Sequence, residues 1–93
     1  MIEREPGTDR ALTAVTEFKS VPVNLRVRGI RTSMRLDGAT LSALDRLATE
    51  EGLTRHQVAD LVATRLPKNA SLAAALRSFV LAYWMYRARQ AAD

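Results

Sequence analysis

Apolar and polar residues alternate between positions 23 and 36, with the period of two that is typical of a β-strand. The odd positions are apolar from Val23 to Val27, and the even positions are apolar or small from Ile30 to Leu36. The phase changes at Gly29, which indicates either a β-bulge or a tight turn. We favour the bulge and therefore predict one strand per chain.

A helical pattern replaces the alternation after this strand. A helix is predicted from about Ala39 to Glu51, with Asp37 as its N-cap and Gly52 as a left-handed stop. Apolar residues recur along it at helical spacing, which gives it one buried face. That face comprises Leu41, Leu44, Leu47 and Ala48.

Two further helices follow toward the C-terminus. Thr54 is placed to cap the second helix, and Gln57 completes a capping-box pattern three residues later. Pro67 is expected to end that helix. Apolar residues at intervals of three and four then predict a third helix over about residues 71–90.

The N-terminal region shows no sustained period, so we interpret residues 1–22 as a flexible arm. A helix from Asp9 to Phe18 is the alternative, because Leu12, Val15 and Phe18 recur at near-helical spacing. The expected organisation is thus an arm, a core over residues 23–67, and a C-terminal helix over residues 68–93. We predict a mainly α fold.

Composition narrows the functional classes. The chain has no cysteine, which excludes disulfides and thiolate metal sites. His56 is its one histidine and has no second ligand at a metal-binding spacing, so no metal or cofactor is expected. No nucleophile has a suitably spaced base, so we predict no enzymatic activity. The charged start and the absence of a long apolar run favour a cytoplasmic location without a membrane partner.

Positive charge is concentrated on the predicted strand. Residues 26–36 carry four arginines and no acidic residue, whereas the whole chain has a net charge of +4. Arg31, Ser33 and Arg35 share the face opposite the apolar one, and burying such cations would be costly, so this face must contact solvent. A local basic stripe favours a polyanionic partner, with a solvated charged strand as the alternative.

An isolated strand needs a hydrogen-bonding partner, and no other segment is predicted to supply one. The simplest partner is the same strand of a second copy, which predicts an antiparallel ribbon in a homodimer. A two-stranded ribbon of this kind fits the major groove of double-stranded DNA, where arginine can bond to guanine. The unsatisfied N–H groups at the start of the second helix favour phosphate contact near Thr54 and Arg55.

Several segments resemble the ribbon-helix-helix superfamily of bacterial and phage DNA-binding proteins. Residues 31–37 (RTSMRLD) resemble its ribbon strand, residues 41–48 (LSALDRLA) its first helix, and residues 52–55 (GLTR) the turn between its helices. Residues 69–72 (NASL) and 75–83 (ALRSFVLAY) are similar to a subfamily with an added C-terminal helix, common in alphaproteobacteria. The resemblance implies an obligate homodimer with an intertwined core, but it does not imply the biological role, since related domains act as repressors, antitoxins or relaxosome accessory proteins. We predict a repressor-like transcriptional regulator, with an antitoxin or a plasmid relaxosome accessory protein as the alternative.

The resemblance and the pattern together assign roles to individual residues. The base-contacting positions are expected to be Arg31, Ser33 and Arg35. The arm over residues 1–20 is the expected handle if a protein partner exists. The phosphate-contacting positions are expected to be Arg26, Arg28, Thr54 and Arg55, and the dimer core is expected to contain Thr32, Met34, Leu36, Leu44, Leu61, Val62 and Phe79.

Overall fold

The computed structural model of the chain describes residues 6–16 and 18–92. Over these residues the fold is mainly helical, as predicted, and includes the C-terminal helix. The elements in chain order are α1 (Pro6–Thr16), β1 (Ser20–Val27), β2 (Ile30–Asp37), α2 (Gly38–Glu51), α3 (Arg55–Thr64) and α4 (Leu72–Ala92).

The alternating segment forms two strands, so the prediction of one strand per chain is wrong. β1 and β2 pair antiparallel in a hairpin, with Val27 opposite Ile30. The two residues between them, Arg28 and Gly29, both have positive φ, 52° and 78°, which is the geometry of a type I′ turn. The favoured bulge is therefore wrong and the tight turn is correct. A two-residue turn places Val27 and Ile30 on the same face, which explains why the apolar parity changes there.

β2 thus has its partner strand within the same chain. A second copy was expected because the predicted strand had no partner. Val23 to Val27 belong to that partner strand, so this reason no longer holds. A homodimer stays a prediction, but it no longer follows from an unpaired strand.

The inner face of the hairpin packs against the helices. Leu25, Leu36 and Leu44 are 1%, 0% and 0% exposed, and no polar or charged residue of the described chain is buried with them. The core extends from this face to α2, α3 and α4. Its remaining members are Val23, Val27, Leu47, Ala48, Val58, Ala59, Leu76 and Val80.

The predicted start and stop signals of α2 are confirmed. Asp37 caps the helix by accepting hydrogen bonds from the backbone N–H of Thr40 (2.9 Å) and from its hydroxyl (2.7 Å). The bond from the Thr40 side chain is the main reason that the pKa of Asp37 lies below its ordinary value. Gly52 ends α2 in the left-handed conformation, with a φ of 69°.

The capping box of α3 is also confirmed. The Gln57 N–H donates to the Thr54 hydroxyl (3.1 Å), and the Thr54 N–H donates to the Gln57 side chain (2.9 Å). α3 ends at Thr64, short of the predicted end at Pro67. The bond from the Trp84 indole N–H to the Ala43 carbonyl (3.1 Å) helps to attach α4 to α2.

α4 is also tied to the end of α2. Tyr83 donates to a Glu51 carboxylate oxygen (2.7 Å), and this bond raises the pKa of Tyr83. Arg87 lies within ion-pair distance of Glu50 (3.4 Å) and Glu51 (3.7 Å). In the part of the chain described, no helix combines the length and apolar character required to cross a membrane.

Candidate nucleic-acid interface

The outer face of the hairpin, which we call the basic face, collects polar side chains from both strands. The register places Arg26 opposite Arg31, Asn24 opposite Ser33, and Pro22 opposite Arg35. All six residues are exposed. The predicted solvent orientation of Arg31, Ser33 and Arg35 is therefore observed, while their role as base contacts stays a prediction.

Arg26 and Arg31 form the most strongly charged part of the basic face. Within the described chain neither guanidinium has an ion pair or a hydrogen bond. Like charges on directly opposite strand positions repel each other. An anion bound between or beside the two guanidiniums would therefore reduce this repulsion.

Two other arginines of the hairpin are already engaged. Arg35 donates from Nε to the Ser20 hydroxyl and from Nη2 to the Ser20 carbonyl, both at 2.9 Å. Arg28 donates from Nη2 to the Ala63 carbonyl at the end of α3 (2.9 Å). Arg35 thus keeps Nη1 for a ligand, whereas the guanidinium of Arg28 is directed to the end of a helix.

Arg55 forms an intramolecular ion pair with Asp45. Its Nε and Nη2 donate to the two carboxylate oxygens of Asp45, at 3.0 and 2.7 Å. This two-point geometry is the strong form of an arginine–carboxylate contact. Thr54, the other residue predicted at this helix start, uses its hydroxyl oxygen and its N–H in the capping box. For both residues a phosphate contact stays a prediction.

α3 lies along the outer edge of β1 and fixes the basic face to the body of the protein. The Arg26 N–H donates to Nδ1 of His56 (2.9 Å), and the Arg28 N–H donates to the carboxylate of Asp60 (2.6 Å). An imidazole that accepts at Nδ1 carries its proton at Nε2. The sequence analysis considered His56 only as a metal ligand and missed this contact, because it joins positions thirty residues apart.

The residues predicted for a dimer core divide into two groups. Leu36 and Leu44 are fully buried inside the single chain, and Thr32 and Met34 are half-buried beneath the hairpin. The remaining three line an apolar groove of about 450 Å³ between α3 and α4. These are Leu61, which is 55% exposed, and the half-buried Val62 and Phe79.

No cluster of three or more potential metal ligands occurs among residues 6–16 and 18–92. The exposed polar side chains of the basic face are guanidiniums, an amide and a hydroxyl. Such a surface can neutralise phosphates and form hydrogen bonds with base edges.

The architecture is a two-stranded antiparallel ribbon that packs against a layer of helices. The chain belongs to the ribbon-helix-helix domain family, whose model matches residues 21–84. This confirms the resemblance seen in the sequence. The ribbon-helix-helix domain is a DNA-binding fold without enzymatic activity of its own.

One solved structure with the same fold is an uncharacterized protein from Bordetella pertussis Tohama I. It superposes with a TM-score of 0.69 at 22% sequence identity, covering 94% of this chain and 74% of that chain. At this identity the likeness shows the fold alone. The comparison with curated proteins found no match.

Proposed function

We propose that the protein is a sequence-specific transcriptional regulator that inserts the β1–β2 hairpin into the major groove of double-stranded DNA. The observation that carries the proposal is the pair Arg26 and Arg31, two opposed guanidiniums without a partner in the described chain. A major groove about 12 Å wide admits a two-stranded ribbon. The hairpin supplies such a ribbon from one chain.

The proposed base contacts are Arg31, Ser33 and Arg35, which follow one another along the exposed side of β2. Arginine bonds to O6 and N7 of guanine, and each good two-point contact discriminates by about 1–3 kcal/mol. Arg31 is the better placed of the two arginines, since Nε and Nη2 of Arg35 already donate to Ser20.

The proposed phosphate contacts differ in how much rearrangement each needs. Arg26 projects freely from β1, so it can reach the backbone directly. Thr54 can add a backbone dipole at the start of α3 without leaving its cap. Arg28 and Arg55 already donate to Ala63 and Asp45, so each offers a phosphate only its remaining N–H groups unless that contact is broken.

The DNA-binding proposal is tested by selecting bound duplexes from a random pool and then titrating the selected site at several salt concentrations. We expect Arg31→Ala to lose base preference, and Arg26→Ala to reduce the slope of log affinity against log salt by about 1. Arg89→Ala, which removes the same charge from α4, is the matched control. If Arg26→Ala and Arg31→Ala both bind the selected site like the wild type, the basic face does not contact DNA.

We also infer a homodimer, with the apolar groove between α3 and α4 as its surface. Leu61 is the most exposed apolar residue of that groove, at 55% exposure. A charge at the centre of such a surface is costly to bury. Leu61→Lys should therefore sediment as a monomer, with Arg65→Lys as a control at the groove edge. A dimeric Leu61→Lys would move the interface elsewhere.

A second candidate function is the binding of a protein partner through residues 1–20, as an antitoxin or a relaxosome accessory protein does. The observation that favours it is α1, where Leu12 and Val15 are 46% and 62% exposed, followed by Phe18 at 71%. Removing residues 1–18 should then abolish binding of the product of a neighbouring toxin or relaxase gene and leave duplex binding unchanged. If the deletion variant still binds that partner, residues 1–18 are not the binding segment.

A further inference from the structure

One uncharged pair lies on the basic face between the arginines. Asn24 of β1 and Ser33 of β2 are directly opposite each other and exposed. The Ser33 hydroxyl donates to the Asn24 side-chain carbonyl at 2.7 Å. Neither side chain has another hydrogen bond in the described chain, so the rest of their polar capacity faces outward.

This bond ties the Asn24 amide to the opposite strand. With Oδ1 turned toward Ser33, one of its lone pairs is taken and the other remains, and both N–H groups of Nδ2 are unused. The single hydroxyl proton of Ser33 is donated to Asn24 in this arrangement. The pair therefore presents an exposed amide that has both acceptor and donor capacity left for a ligand.

Stability does not explain an asparagine at position 24. Asparagine is depleted in strands, and this side chain is exposed and forms no hydrogen bond with α2 or α3. Its neighbours on the same face are the free guanidiniums of Arg26 and Arg31. The position is therefore better explained by a ligand than by the fold.

We propose that Asn24 is a specificity-determining residue that recognises an adenine in the major groove, and that Ser33 is the positioning residue that orients its amide. The inference rests on the proposed function. Adenine presents a donor, its N6 amino group, beside an acceptor, N7, and an asparagine amide matches both. Guanine presents two acceptors, so its O6 would meet the Asn24 carbonyl oxygen without a proton between them.

The pairing gives Ser33 a second part beside its proposed base contact, for which its oxygen lone pairs stay available. A hydroxyl alone accepts or donates to several bases and discriminates poorly. By its hydrogen bond to the amide, Ser33 limits the movement of the Asn24 side chain before DNA binds. The adenine preference then depends on both residues, and it depends on Asn24 more strongly.

The test compares duplexes selected from a random pool by the wild type, Asn24→Ala, Ser33→Ala and the double variant. We expect the wild type to select adenine at one position of each site. Asn24→Ala should reduce that preference by about 5- to 150-fold, the effect of one two-point base contact, while positions read by the arginines persist. Ser33→Ala should reduce it by less, and the double variant should behave like Asn24→Ala.

Two further measurements separate recognition from folding. Asn24→Thr places a good strand former at the position, so it should unfold at the wild-type temperature and still lose the adenine preference. An adenine analogue with carbon in place of N7 should weaken binding of the wild type but not of Asn24→Ala.

The outcomes distinguish this inference from the function on which it rests. If Asn24→Ala selects the same adenine as the wild type, or if Ser33→Ala alone abolishes that preference, the assignment to Asn24 is overturned. If the wild type selects no duplex at all, the DNA-binding proposal itself fails, and the inference fails with it.

Discussion

The two strands of the hairpin have the same length but differ in how deeply their side chains are buried. Three residues of β1 are buried, namely Val23, Leu25 and Val27, which are 4%, 1% and 8% exposed. On β2 only Leu36 is buried to this degree, while Thr32 and Met34 are half-buried. β1 therefore anchors the sheet in the core, and β2 contributes more to the surface.

The free edges of the two strands also differ, in the hydrogen bonding of their outward N–H groups. The N–H groups of Arg26 on β1 and of Arg28 in the adjoining turn donate to His56 and Asp60, and Pro22 has no N–H to satisfy. On β2 the alternating ladder directs the N–H groups of residues 31, 33 and 35 away from β1, and no other described residue accepts from them. β1 is thus held at both its inner face and its free edge. The free edge of β2 has no such contact, so its backbone and outward side chains are available to a ligand.

The largest expected effect comes from weakening the anchoring strand. Leu25→Ala removes a fully buried side chain and should lower the free energy of unfolding by about 2–5 kcal/mol. Met34→Ala, at a half-buried position of β2, should cost clearly less. Denaturant unfolding of both variants checks this, and equal losses would mean that the two strands share the core evenly.

A smaller effect is expected at the edge of β1. Asp60→Ala removes the acceptor for the Arg28 N–H and should cost about 1 kcal/mol. Asp60→Asn keeps a carbonyl acceptor at the same place and serves as the control. Hydrogen exchange at the Arg28 amide should accelerate in Asp60→Ala and much less in Asp60→Asn; unchanged exchange in both would show that this bond does not hold the edge.

The smallest effect is expected where β2 continues into α2. The lowered pKa of Asp37 means that its carboxylate stabilises the folded state above its ordinary pKa of about 3.8, and that this contribution is lost as the pH falls through the lowered value. Unfolding free energies measured from neutral pH down to acid should show that loss in the wild type. In Asp37→Asn, which caps the helix without titrating, the acid dependence should be shallower; identical curves would assign it to other groups.

Local signals in the sequence predicted much of this fold. Asp37, Gly52 and the pair Thr54 and Gln57 act within four residues of their partners, so their capping roles could be recognised without tertiary information. The outward orientation of Arg31 and Arg35 followed from parity. The second strand was missed because a bulge and a type I′ turn both change the phase at a glycine.

The candidate site was less predictable, because its properties depend on distant contacts. Arg28 is held by residues of α3 more than thirty positions away, and Arg55 is paired with Asp45 across the turn between helices. Nothing in the local pattern distinguishes these arginines from Arg26 and Arg31. Asn24 was read as one polar position among others, since only the hairpin register brings it opposite Ser33.

The turn at Arg28 and Gly29 sets the orientation of everything that follows it in the hairpin. Because successive side chains of a strand point to opposite faces, the length of this loop decides which parity of β2 faces outward. A loop of three residues, 28–30, would pair Arg31 with Val27 and direct Arg31 and Arg35 at the leucines of α2. Loop length therefore sets the identity of the exposed surface as firmly as the side chains themselves do, and evolution can vary the residues of this ribbon far more readily than the spacing at its tip.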